Sequence, residues 1–112
     1  MNISEIIGAL EATSTYLNQE TSVSTIDNVF VSDMMSEVLT QDHENLLLIT
    51  SLATPQVLRT VDSISGIGII LVDGKPLPAG MAELAAELGI TLLHTKLTAF
   101  DVSVIIGKLM GR

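Results

Sequence analysis

Four polar clusters stand where an α/β chain does its chemistry: Ser32-Asp33, Thr50-Ser51, Asp73-Gly74-Lys75 and Thr95-Lys96. Each follows a run of apolar or β-branched residues, so each marks the carboxyl end of an expected strand. In open α/β sheets that edge is where ligands bind. The helices expected next begin near Asp33, Thr54-Pro55, Gly80 and Thr98. A helix N-terminus offers unpaired N–H groups and the positive end of its dipole. Together with Lys75 and Lys96, such groups suit a small anion or a nucleotide phosphate. Asp33 and Asp73 repel an anion unless Mg²⁺ intervenes. With that ion, Asp33, Asp73 and Lys75 would serve a small hydrolase or phosphotransferase. The structural use of the same residues is plain, because Ser, Thr and Asp are ordinary N-cap and turn residues. The candidate ligand set is Ser32, Asp33, Thr50, Ser51, Thr54, Asp73, Gly74, Lys75, Thr95 and Thr98. No residue is assigned to catalysis or to a resident metal, and no cofactor is expected.

Other chemistry is excluded on simple grounds. Phosphoryl transfer needs a phosphate-cradling loop such as G-x-x-x-x-G-K-[ST]. The run Ser65-Gly66-Ile67-Gly68-Ile69-Ile70 has no Lys-Ser/Thr after it and reads as a helix stop and a closely packed strand start, so a kinase is rejected. His43 sits in the polar turn Gln41-Asp42-His43-Glu44-Asn45, and adjacent residues cannot all converge on one ion. His94 ends an expected strand and has no Ser or Cys nucleophile near it in sequence, so a satisfied strand-end histidine is the simpler reading against a switch or base. The chain has no Cys, which removes disulfides, thiolate metal sites and a Cys nucleophile. Five basic residues against 13 acidic ones give a formal charge of −8, so the basic footprint of a nucleic-acid binder is missing. Three aromatic residues, Tyr16, Phe30 and Phe100, leave little for stacking bases or sugars. Met1-Asn2-Ile3-Ser4-Glu5 has neither the basic nor the apolar region of a signal peptide, and Ile67 to Val72 is too short to span a bilayer. The expectation is a cytoplasmic protein without membrane contact.

The elements that must position these clusters follow from hydrophobic spacing. With 112 residues and 47% hydrophobic side chains, the chain supports one domain. Surface scaling gives roughly 6,000 Å² folded against about 17,000 Å² unfolded, enough burial for one core. Ile3, Ile6, Ile7 and Leu10 make one helical stripe, opened by the capping pair Asn2 and Glu5. The Ser/Thr-rich segment that follows holds a short β segment, Thr13 to Leu17, and is otherwise loop. The single domain, 1–112, thus has an N-terminal helix and Ser/Thr-rich segment over 1–27 and an α/β core over 28–112. Asn28 to Ser32 reads as a strand, after which Asp33 is expected to cap a helix through Met34, Met35, Val38 and Leu39. Leu46 to Thr50 and Ile67 to Val72 have the length and composition of buried strands. Between them Pro55 opens a helix whose face is Val57, Leu58, Val61 and Ile64. Met81, Leu84, Ala85 and Leu88 form the next helix, stopped by Gly89. Ile90 to His94 is a strand, and Thr98 caps a last helix to about Met110. Such alternation implies βαβ units: a three-layer α/β/α domain on a mostly parallel sheet of four or five strands.

Within this order, Asn28 to Leu109, about three quarters of the chain, resembles the DRTGG domain family. That family is a small α/β regulatory module related to the N-terminal domain of HPr kinase/phosphorylase. It also occurs in some phosphate acetyltransferases and some CBS-containing inorganic pyrophosphatases. The resemblance lies in Val29-Phe30-Val31-Ser32-Asp33-Met34-Met35-Ser36, Leu48-Ile49-Thr50 and Gly68-Ile69-Ile70-Leu71-Val72-Asp73-Gly74. It continues through Ala85-Ala86-Glu87-Leu88-Gly89-Ile90-Thr91-Leu92-Leu93 and Thr95-Lys96-Leu97-Thr98-Ala99-Phe100. The motif that names the family is degenerate: its Asp-Arg pair falls near Ala53-Thr54, its Thr-Gly-Gly near Val72-Asp73-Gly74, and Gly74 alone survives. The resemblance implies a fold like the HPr kinase N-domain, a regulatory role and homodimerisation.

The last helix points the same way from its own residues. Ala99, Val102, Ile105, Ile106, Leu109 and Met110 make the face that meets a sheet. Phe100, Val104 and Gly107 fall on the opposite side, a second stripe that a second subunit would cover. The alternative is cover by the N-terminal helix or the Ser/Thr-rich segment. The functional expectation is a non-catalytic regulatory or sensory module that dimerises through Phe100, Val104 and Gly107 and takes a small anionic ligand or nucleotide. The competing readings are the Mg²⁺-dependent enzyme above and a structural interaction module that serves a partner enzyme.

Overall fold

The computed structural model describes residues 1–112. Helices and strands run α1 (Ile3–Leu10), β1 (Thr13–Tyr16), β2 (Asn28–Val31), α2 (Met35–Val38), β3 (Leu46–Thr50), α3 (Pro55–Ser63), β4 (Gly68–Leu71), α4 (Met81–Leu88), β5 (Thr91–His94) and α5 (Ala99–Leu109). The sheet has five strands in the order β1-β5-β4-β3-β2. β2 to β5 are parallel and in sequence order, and β1 lies antiparallel on β5. Crossovers of one hand stepping in one direction put their helices on one face. α2, α3 and α4 accordingly cover one side, and α1 and α5 the other.

Two apolar layers result. Val38, Val57, Leu58, Val61, Met81 and Ala85 pack on Leu46, Leu48, Ile69, Leu71 and Leu92. Ile3, Ile6, Leu10, Val102 and Ile106 pack on Leu47, Ile49, Ile70 and Leu93. Alternate residues of one strand thus feed opposite layers, which is why Leu46 to Thr50 is apolar or buried throughout. The exposed surface is 5744 Å², close to the scaling value. No helix is long and apolar enough to cross a membrane. The three-layer α/β/α class expected from the spacing is the class observed, with five strands.

Local signals behave as their chemistry dictates, with two corrections. Asn2 Oδ1 accepts from the Glu5 N–H at 3.0 Å, the expected cap of α1. Gly89 ends α4 in the left-handed region at φ 70°. Asp33, however, does not cap α2. That helix is a single turn with Met34 at its cap position and no side-chain cap bond. The carboxylate turns back to β3, and the Ser32 hydroxyl receives the Met34 N–H at 3.0 Å in its place. The stop of α3 also differs in detail. Ser65, not Gly66, takes the left-handed conformation, at φ 56°. Ser65 N–H donates to the Asp62 carbonyl at 3.1 Å and Gly66 N–H to the Val61 carbonyl at 2.9 Å, a Schellman closure. Gly66 is required for space: a Cβ there would stand 2.5 Å from Val61 Cγ1.

The candidate site at the carboxyl edge

Four parallel strands end side by side, so their polar tails share one edge. At the β2–β3 end, Asp33 Oδ1 accepts from the Thr50 hydroxyl at 2.8 Å and from the Ser51 N–H at 2.7 Å. The Ser51 hydroxyl donates to Asp33 Oδ2. The buried Thr50 hydroxyl also accepts from the Leu52 N–H at 3.2 Å. Asp33, Thr50 and Ser51 are therefore one closed hydrogen-bond cluster bridging two strand ends, while the Ser32 hydroxyl beside it bonds Met34 and Glu37.

At the β4–β5 end, Asp73 and Gly74 both have positive φ, 69° and 61°, and turn the chain sharply. Asp73 N–H donates to the Leu97 carbonyl at 2.9 Å and Gly74 N–H to the Thr95 carbonyl at 3.0 Å. A Cβ on Gly74 would meet Lys96 Cγ at 3.3 Å, so the turn and Lys96 pack directly. His94 Nε2 donates to the Lys75 carbonyl at 2.8 Å, the satisfied strand-end histidine expected from its position. Thr95 Oγ1 accepts from the Leu97 N–H at 3.2 Å.

The edge thus gathers eight of the ten candidate residues into two groups: Ser32, Asp33, Thr50 and Ser51, then Asp73, Gly74, Lys75 and Thr95. Thr54 and Thr98 stay apart, because they start α3 and α5 on opposite faces. Thr54 makes no side-chain cap bond, whereas Thr98 Oγ1 accepts from the Asp101 N–H at 3.2 Å. No group of three or more His, Asp or Glu side chains converges as a metal cage would. A cavity of about 270 Å³ opens at the end of β5, lined by Leu10, Glu11, Thr13, His94, Thr95, Lys96 and Leu97. Of the ten candidates, Thr95 lines it. Glu11 and Thr13 enter because β1 pairs with β5, with Thr13 opposite His94. Hydrophobic spacing carries no strand order, so nothing in the sequence pointed to those two.

Burial pushes the Asp33 carboxyl up, but hydrogen bonds from the Ser51 side chain and N–H and from Thr50 push it down further, helped by the Lys75 charge. The net effect holds it below the ordinary carboxylate value. A depressed folded value means that Asp33 stabilises the fold above the unfolded value near ~4, and that this is lost as pH falls through the lower folded one. Asp33 is solvent-exposed, which screens the effect. Asp33→Ala should cost about 1–2 kcal/mol at neutral pH, because the buried Thr50 hydroxyl loses its acceptor. In urea titrations of both proteins from pH 7 downward, the difference should begin to shrink near pH ~4 and go on falling below it. A constant difference at every pH would break the assignment.

The layers and the polar edge define a three-layer α/β/α module with four parallel strands ending at one polar edge. No family model matches the chain, and no curated protein does. The fold is similar to that of the CBS and DRTGG domains of the regulatory region of Clostridium perfringens pyrophosphatase, crystallised with its activator diadenosine tetraphosphate. The TM-score is 0.77 and the sequences are 22% identical, over 94% of this chain and 45% of that one. The present chain therefore spans less than half the length of that structure, and what the two share is a fold.

Proposed function

We propose that the chain is a non-catalytic regulatory module of the DRTGG kind that binds a small anionic ligand, a nucleotide in particular, at the carboxyl edge, and that it works as a homodimer. One observation carries the ligand. In a chain of net charge −8, Lys96 lines the open cavity at the end of β5, and Lys75 stands next to it, its carbonyl held by His94 and its charge acting on Asp33. Glu11 shares that cavity, so a ligand carrying hydrogen-bond donors as well as a phosphate suits it better than a bare anion. The nucleotide activator in the similar structure supports the same class of ligand. The Asp33 oxygens are already taken up by Thr50 and Ser51, which weighs against their use as Mg²⁺ ligands.

Thermal melts over a panel of nucleotides and phosphorylated metabolites test the reading. A ligand at a hundred times its Kd adds about 2.7 kcal/mol to stability and raises Tm measurably. The shift should vanish in Lys96→Glu and weaken in Lys75→Glu. No shift with any compound would defeat ligand binding. Mg²⁺-dependent turnover of a phosphate ester, lost in Asp73→Ala, would defeat the non-catalytic reading.

A further inference from the structure

α5 carries the same spacing twice. Phe100 and Gly107 are seven residues apart, and so are Asp101 and Lys108, with Val104 at the common centre of both spans. Seven residues make about two turns and about 10 Å of helix, so the members of each pair share a side but cannot touch each other. Phe100, Asp101, Val104 and Lys108 are exposed. Gly107 has open space where a Cβ would stand. It also lines a cavity of about 210 Å³ between β2 and α5, together with Val29, Val31, Ile49 and Met110. A cavity of about 150 Å³ is enough to take a benzene ring. Arg112 is also in the lining, and a cation there favours an aromatic occupant over a basic one.

We infer that two copies pair antiparallel through α5, Val104 against Val104 at the two-fold axis, with Phe100 of each copy seated on Gly107 of the other at the mouth of this cavity. The inference rests on the homodimer reading above and adds its orientation and its receiving site. A two-fold contact must be self-complementary, so that if one residue meets a second, the second meets the first. Antiparallel helices centred on Val104 meet this condition for both spans at once. Phe100 reaches the partner's Gly107 on one flank, and Asp101 reaches the partner's Lys108 on the other. A parallel pairing would set Asp101 against Asp101 and Lys108 against Lys108. Exposed ion pairs add little affinity, so the charges choose the orientation while the aromatic ring supplies most of the binding. The match of two spans within one helix is what selects a second copy over an unrelated partner.

Sedimentation equilibrium of the full chain at low salt tests this arrangement. Asp101→Lys and Lys108→Asp each turn an attraction into a repulsion at both ends of the contact. Each should weaken the dimer at least fivefold, although they move the net charge in opposite directions. The double variant Asp101→Lys/Lys108→Asp restores both pairs and should dimerise as the native chain does. Gly107→Gln enters open space within its own copy and removes a glycine from a helix, so it should melt no lower than the native chain. It should nevertheless weaken the dimer at least tenfold, and it decides the matter if the exchange of charges unfolds the chain. A double variant as weak as the single ones, or a Gly107→Gln dimer as tight as the native one, would overturn the inference and leave a homodimer of another arrangement standing. A native chain that stays monomeric at every concentration would overturn the homodimer reading and this inference with it.

Discussion

The native chain is expected to sediment as a dimer and Phe100→Asp as a folded monomer. Phe100 is 75% exposed and Val104 40% exposed, on the side of α5 away from the sheet. α1 packs on the same sheet face but leaves both bare. Gly107, one turn further on, has nothing within 4 Å of where a Cβ would be, so a second helix can approach closely there. An aromatic residue at the centre of such a contact is typically worth 2 kcal/mol or more, which is about thirtyfold or more in Kd. A carboxylate in its place adds repulsion between two chains of net charge −8. Because the side chain is already exposed in one copy, the monomer should melt within about 0.5 kcal/mol of native stability. The native dimer should also tighten as salt rises, since salt screens that repulsion. A folded dimer that survives the substitution would refute this face.

The largest effect on stability is expected from Ile70→Ala. Ile70 is fully buried on β4, which has two strands on either side, and it faces the layer made with α1 and α5. Neighbours held by ladders on both flanks cannot collapse into the space. The loss should be about 3–4 kcal/mol, a large share of the roughly 5–15 kcal/mol that holds a domain together. Urea unfolding should show a lower midpoint with an unchanged slope, and Tm should fall by about 10 °C or more. Ile70→Val removes one methylene and should cost about 1 kcal/mol. A loss below 1 kcal/mol in the Ala variant would mean that the layers close over the gap.

Much of the architecture was readable before the structure. Apolar spacing located the helices and the four parallel strands, and Asn2, Pro55, Gly89 and Thr98 marked helix ends correctly because their effects act within a turn. What escaped notice depends on neighbours far along the chain. Asp33 reads as a cap in isolation, yet its partners Thr50 and Ser51 lie 17 and 18 residues on, and three hydrogen bonds there outweigh one to its own helix. Ser65 holds the left-handed turn because Gly66 is needed where Val61 crowds it. The cavity at Lys96 depends on β1 pairing with β5, a match that spacing cannot announce.

That pairing also sets an order of events. Each parallel strand meets a neighbour roughly twenty residues away, joined by a short crossover, whereas Thr13 must find His94 from the far end of the chain. Closing the longer loop costs about 1 kcal/mol more, so the parallel strands are expected to assemble first and the antiparallel one to dock last. Parting of β1 from β5 would remove the wall that Glu11 and Thr13 give the cavity, so its opening is tied to the strand with the most distant partner.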